Sequence, residues 1–188
     1  MELLESILEL VDTNLIKCIP SMILTLLLIR FLFVKRIEIK PALNIIKWII
    51  LTYTILGLLS YLIEILFIDD QSAFLNRATG RYWYAYWIMI LSAVVLPFSL
   101  FYKKWGEKPF YIIFISIMMK IGWYFELMAI FGTSYHRDDL ANGESFDWWI
   151  LPLYGLLMIW LKSFVLVLIL LGGVKLTERK GRRKTLSS

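Results

Sequence analysis

Five apolar blocks, Leu15–Val34, Asn44–Phe67, Trp83–Tyr102, Pro109–Phe131 and Trp148–Gly173, limit what this chain can fold into. Each is long enough to cross a hydrocarbon core, which takes about 20 helical residues. Lipid cannot satisfy backbone N–H and C=O groups. A spanning segment must therefore bond to itself as a helix or close into a barrel, and the alternation of a barrel strand is absent. The composition agrees. Of 188 residues, 60% are hydrophobic and 19% charged, more apolar material than a soluble domain of this size can bury. The expected fold is an all-α integral membrane protein with five transmembrane helices. Spans two to five should form a four-helix bundle, with span one packed beside it.

The connectors give a direction. Lys35, Arg36 and Lys40 follow the first block, and Lys103, Lys104 and Lys108 follow the third. Lys175, Arg179, Lys180, Arg182, Arg183 and Lys184 fill the tail. The alternate connectors hold only Arg77, Arg81 and Arg137, among Asp69, Asp70, Asp138, Asp139, Glu144 and Asp147. This asymmetry predicts the N-terminus outside and the C-terminus in the cytoplasm. Trp83, Tyr84, Tyr86 and Trp87 stand where the third span enters from outside, as an aromatic belt does. The net charge of +5 does not imply nucleic acid, because the basic residues flank apolar blocks rather than forming one face.

Residues 1–14 carry Leu3, Leu4, Ile7, Leu8 and Val11 at helical spacing with acids mostly opposite. They are expected to form a periplasmic amphipathic segment packed on a partner, and their acidic character differs from a cleavable signal peptide. Residues 15–173 form the membrane domain, and 174–188 a basic cytoplasmic tail on anionic headgroups. Pro20, Pro41, Pro109 and Pro152 fall near helix starts, where a missing N–H costs little. Pro97 lies well inside the third span and should disturb it.

Ionisable groups deep in lipid are costly, so they face a bundle interior or do a job. At about 1.5 Å rise per residue, Glu64 and Glu126 lie roughly 5 and 8 Å below the outer surface. Lys120 and Lys162 lie roughly 16 and 21 Å down. His136 and Asp138 sit in the loop above. These six residues form a candidate polar seam, which either pairs structurally between helices or handles protons or a ligand. Metal sites are not expected: His136 is the only histidine and Cys18 the only cysteine. Ser163 beside Lys162 is an adjacent helical pair, which does not make a dyad. No catalytic residue is assigned.

The order of fragments carries a further signal: Tyr61-Leu-Ile-Glu64, then "FLNRATGRYWYAYWIMI", Pro97 later in that span, "IGWYFE" at 121–126, and "HRD" at 136–138 before a last apolar helix. Over roughly residues 44–173 this resembles the NrfD / polysulfide-reductase membrane-subunit family. It is most similar to the C-terminal half of the quinol-oxidising membrane subunit of bacterial alternative complex III. The resemblance implies a multi-pass subunit of a respiratory redox complex in the bacterial inner membrane. Expected partners are haem or iron–sulphur proteins, a full-length NrfD-type subunit and the lipid bilayer. No cofactor is expected on this chain alone; menaquinone at this subunit or at a partner stays open, with Trp83, Tyr86 and Trp123 as quinone-adjacent candidates. At three positions the sequence departs from the family: Ser92-Ala93 replace a Cys-Asn-like pair, Leu127 an arginine and Lys120 an asparagine. The lysine is expected to give Glu126 its cationic partner. An accessory, non-catalytic role follows. Direct menaquinol binding, proton conduction and membership of a non-redox assembly are the alternatives.

Overall fold

The computed structural model describes residues 2–32, 38–67, 78–81, 83–138 and 150–185. Among them there is no strand. The helices are α1 (Glu2–Asn14), α2 (Ile19–Leu32), α3 (Lys40–Phe67), α4 (Trp83–Ile90), α5 (Leu96–Phe98), α6 (Lys103–Gly106), α7 (Pro109–Met119), α8 (Ile121–Asp138) and α9 (Ile150–Thr185). Four stretches are long and apolar enough to cross a membrane: Ser6–Leu32, Lys40–Ile63, Trp83–Phe101 and Leu153–Thr177. A fifth arises if Pro109–Met119 and Ile121–Ala129, bent by 54° at Lys120, are one span.

The first span starts earlier than the apolar block that predicts it. It runs from Ser6, so most of the amphipathic segment continues directly into the membrane-length helix. Pro20 therefore sits inside a span, not near its start. Lacking an N–H, it cannot bond the Ile16 carbonyl; the Ile19 N–H takes that carbonyl instead, tightening Ile16–Cys18 into a 3₁₀ turn. Pro97 acts in the opposite sense. Leu91–Val95, the turn before it, widens into a π-helix, and a 3₁₀ turn at Ser99–Phe101 closes the span. The expected disturbance is present, displaced one turn toward the N-terminus, where the proline ring crowds the preceding carbonyls.

The bundle is assembled differently from the expected one. α1 and α2 pack on α3, α7 and α9. α3 also packs on the π-turn and α5 of the third span, and that span closes the ring against α7. Spans one to four thus form the four-helix ring, and span five docks outside it on spans one and two. Ile16, Ile19, Met22, Ile23 and Leu26 of span one sit in the core with Ile46, Ile50, Leu51, Leu100, Ile112 and Ile115. Span one takes the central place because its small residues Cys18, Ser21 and Thr25 let neighbours approach closely, and Ser21 bonds across to Ser163. Trp48 meeting Phe101 at 6.2 Å and the Tyr61 and Tyr86 hydroxyls at 2.8 Å make spans two and three antiparallel.

The outward faces are apolar. Phe31, Leu66, Phe110 and Met128 are each more than 70% exposed, an arrangement that water would not tolerate over a whole molecule. Exposed Trp83, Tyr84 and Trp87 ring one end of the third span, and Tyr102 and Trp105 the other. Small residues such as Gly57, Gly122 and Gly155 can let membrane helices approach closely; Gly57 and Gly155 face open space, and of the three Gly122 alone is closely met, by the Met89 side chain.

Gly106 is needed for another reason: a Cβ there would stand 2.2 Å from the Leu100 carbonyl oxygen, in the tight turn between α6 and the third span. Gly106→Ala is expected to lower stability in detergent by about 1–3 kcal/mol, while Gly57→Ala should leave it nearly unchanged. Thermal unfolding of the two variants, compared with the parent chain, checks both.

Candidate functional site

The candidate seam resolves into a charged layer centred on a residue outside the sequence-predicted set. Lys120 pairs with Asp12 of α1, not with Glu126. The Tyr53 hydroxyl donates to the same carboxylate oxygen, Oδ1, at 2.9 Å. The Lys120 ammonium also lies 5.4 Å from the Tyr53 ring centroid, within cation–π range. The elements explain the meeting. Lys120 stands at the break between α7 and α8, with φ −107° and ψ 14°, outside regular helix. The 54° bend frees its side chain to cross the bundle, and Met89, lying where Gly122 has no side chain, packs beside that bend.

Two further lysines share this level. Lys17 of the 3₁₀ turn places its ammonium 4.8 Å from the centroid of Trp123, on α8. Lys162 of α9 donates to Asn14 Oδ1 at 3.0 Å. Three cations thus lie in this part of the bundle, of which Lys120 meets the Asp12 carboxylate, Lys17 an indole ring and Lys162 a neutral amide. The Lys120 and Asp12 side chains are only 15% and 18% exposed, so their attraction acts with little water to screen it.

A neutral polar contact joins spans one and five just below the layer. Ser163 is fully buried, and its hydroxyl lies 2.6 Å from that of Ser21. It also lies within donor reach of the Cys18 and Ile159 carbonyls, at 3.1 and 2.7 Å. Lys162 turns away toward Asn14, so Lys162 and Ser163 form no dyad, as their adjacency predicts. Among the described residues, every buried polar side-chain atom has a partner, and no group of three or more potential metal ligands comes together.

Glu126 is exposed on α8, and the Lys120 partnership expected for it goes to Asp12. α8 continues through His136 and Asp138, which the sequence places in a loop. The side chains of Glu64, His136 and Asp138 lie outside the described residues. The three aromatic candidates take separate partners. Tyr86 joins Tyr61, Trp123 receives Lys17 and stacks edge-on with Tyr124 at 5.1 Å, and exposed Trp83 meets Tyr84 edge-on at 6.3 Å.

Sequence reasoning misses Asp12, Asn14, Lys17 and Tyr53. A usable signal exists, because the 27 residues from Ser6 to Leu32 keep membrane-level hydropathy with Asp12 and Lys17 inside them. Compared with known family models, curated proteins and solved structures, the chain matches none.

The pair gives a sharp energetic expectation. Asp12→Leu alone, or Lys120→Met alone, strands the other charge and should cost about 3–5 kcal/mol. The double variant should recover most of that loss. Tyr53→Phe should cost about 1 kcal/mol. A double-mutant cycle by denaturant unfolding in detergent measures the coupling directly.

Proposed function

We propose that this chain is an accessory integral subunit of a multi-subunit redox complex in a bacterial inner membrane. In this reading it derives from half of an NrfD-type quinol-oxidising subunit, with its N-terminus outside and its basic tail in the cytoplasm. It holds partners in place and does not itself turn over substrate. The fragment order from Tyr61 to Asp138 supports the family, and the lysine and arginine asymmetry of the connectors supports the orientation.

The observation that carries the non-catalytic part is the Asp12–Lys120 contact. A proton path through Lys120 to Glu126 needs those groups within hydrogen-bonding reach of each other or of a shared water. Lys120 is turned instead to a carboxylate on another helix, which also accepts from Tyr53, and Glu126 faces outward. A lysine locked between a carboxylate and a ring fastens three helices together. The same groups offer poor material for a relay, since moving the proton would leave Asp12 without its counter-ion. Trp123 is likewise engaged, with the Lys17 ammonium over one face of its ring.

Gentle detergent extraction from native membranes followed by mass spectrometry should recover haem or iron–sulphur subunits with this chain. Glu126→Gln should leave quinol turnover of that complex within about twofold of the parent, since a general acid–base group would be worth at least 10². A secretion or motility apparatus in the sample, or a 100-fold loss of turnover, overturns the proposal. Orientation has its own measurement. The native Cys18 thiol is buried, so a Ser187→Cys variant should react with an impermeant maleimide only after the membrane is opened from the cytoplasmic side.

A further inference from the structure

Resting on the accessory-subunit reading, we propose that the outward face of α9 around Lys162 docks a transmembrane helix of another subunit, one carrying an aspartate or glutamate at mid-membrane depth. The argument begins with position. Lys162 lies nine residues into the Leu153–Thr177 window and fifteen from its other end, about 14 and 22 Å along the axis. It is exposed, and so are Leu161, Val165 and Ile169 beside it.

A lysine at such a place commonly escapes by extending its stem to the headgroups. Here it does not. The 3.0 Å bond to Asn14 holds the ammonium within the bundle's middle level, eight residues inside the Ser6 end of span one. Asn14 is a neutral amide and leaves the charge uncompensated. Among the described residues, the carboxylate that pairs with a lysine is that of Asp12, and it is engaged by Lys120 and Tyr53. Lys17 adds a second cation whose described contact is an aromatic face. The layer therefore carries two positive charges beyond what Asp12 balances, in a slab where an uncompensated charge is costly.

The surroundings fit a helix better than a headgroup. A shallow groove lined by Asn14, Leu161, Lys162, Val165 and Leu166 runs beside the ammonium, apolar except for the two polar groups at its head. Gly155 and Gly173, seven residues before and eleven after Lys162 and hence on its side of the helix, have open space where a side chain would stand. A phospholipid phosphate would have to leave the interface to reach Lys162. A second copy related by a two-fold axis through this face would bring Lys162 against its own equivalent, like charge to like. A partner carboxylate on a helix satisfies charge, depth and shape together.

The test uses the intact complex from native membranes. A photoactivatable phenylalanine derivative at Val165 should crosslink to one transmembrane segment of another subunit that contains an Asp or Glu. The same probe at Leu91, exposed on the third span, serves as the comparison face. Lys162→Glu should reduce co-purification of that subunit at least tenfold, and changing the partner's carboxylate to lysine should restore it. Lys162→Gln can still donate to Asn14 and guards against misfolding; it should reduce co-purification severalfold. Adducts at Val165 with phospholipid or with a second copy only, or unchanged subunit content in both Lys162 variants, overturn the docking surface. Redox subunits that still co-purify in that case leave the accessory reading standing. A Val165 crosslink with charge-swap rescue to a subunit of a non-redox assembly supports the surface and overturns the redox assignment instead.

Discussion

A carboxylate and an ammonium held together in an apolar bundle dictate much of this architecture. Either charge alone, taken out of water, costs more than a folded domain can readily offset. Asp12 and Lys120 therefore have to meet, and the break between α7 and α8 serves that need. The N-terminal segment enters the bundle instead of lying on the surface, because Asp12 must reach the interior. The fourth span breaks at Lys120, because a regular helix would hold its side chain to one outward direction. Tyr53 completes the arrangement by donating to Asp12 and offering its ring to the ammonium, which ties span two to the same point. On general grounds such a pair adds little net stability over well-packed leucines; its stronger effect is to fix which helices meet and in what register.

That specificity matters because lipid gives helices little other reason to choose one another. Hydrocarbon outside and leucine inside are equally apolar, so no solvent drive selects an interface. The described contacts show what does. Polar side chains gather inward where spans one and five meet, with Ser21 and Thr25 of span one and Ser163 of span five buried. Many of the leucines, phenylalanines and tryptophans turn outward, Leu66, Phe110 and Trp83 among them. Ser21 and Ser163 hold spans one and five together at 2.6 Å, and Thr25 and Thr54 bond back to their own helices at 2.7 and 2.9 Å. Each satisfies a group that would otherwise be orphaned in a low-dielectric interior.

The sequence makes the spans legible because their signal is a sum over twenty residues, and it survives errors at any one of them. Pro97 is legible for a similar reason: a missing N–H and a steric clash act locally, whatever packs outside. The order of the helices is not legible in the same way. Nothing in the spacing of Lys120 says that its counter-ion lies 108 residues earlier, and Glu126, six residues away on the next helix, looks like the nearer answer. The error has a physical source. Six residues along a helix is about 9 Å, too far for a direct contact along one axis, and the break at Lys120 turns its side chain away from α8. Asp12 is hidden by its own neighbours, since Glu2, Glu5 and Glu9 make it read as the last acid of a surface helix. The hydropathy from Ser6 onward points the other way. The glycines fail as guides for a similar reason: only the packing around each one decides whether its missing side chain is used, and Gly57 and Gly155 face outward.

The charge layer also separates two kinds of role that a buried ionisable group can take. A group that moves protons needs neighbours that tolerate either of its protonation states. Asp12 has no such neighbours. It accepts from Tyr53 and faces Lys120 at the same oxygen, so protonating it would weaken the acceptor for one partner and remove the counter-charge from the other. Lys162 differs, because its amide partner works equally well beside a charged or an unfinished environment. One half of the layer is closed within the chain and the other half is open at its edge. On the proposed accessory reading, such an asymmetry lets the chain fold by itself and still keep one charge available for a partner helix.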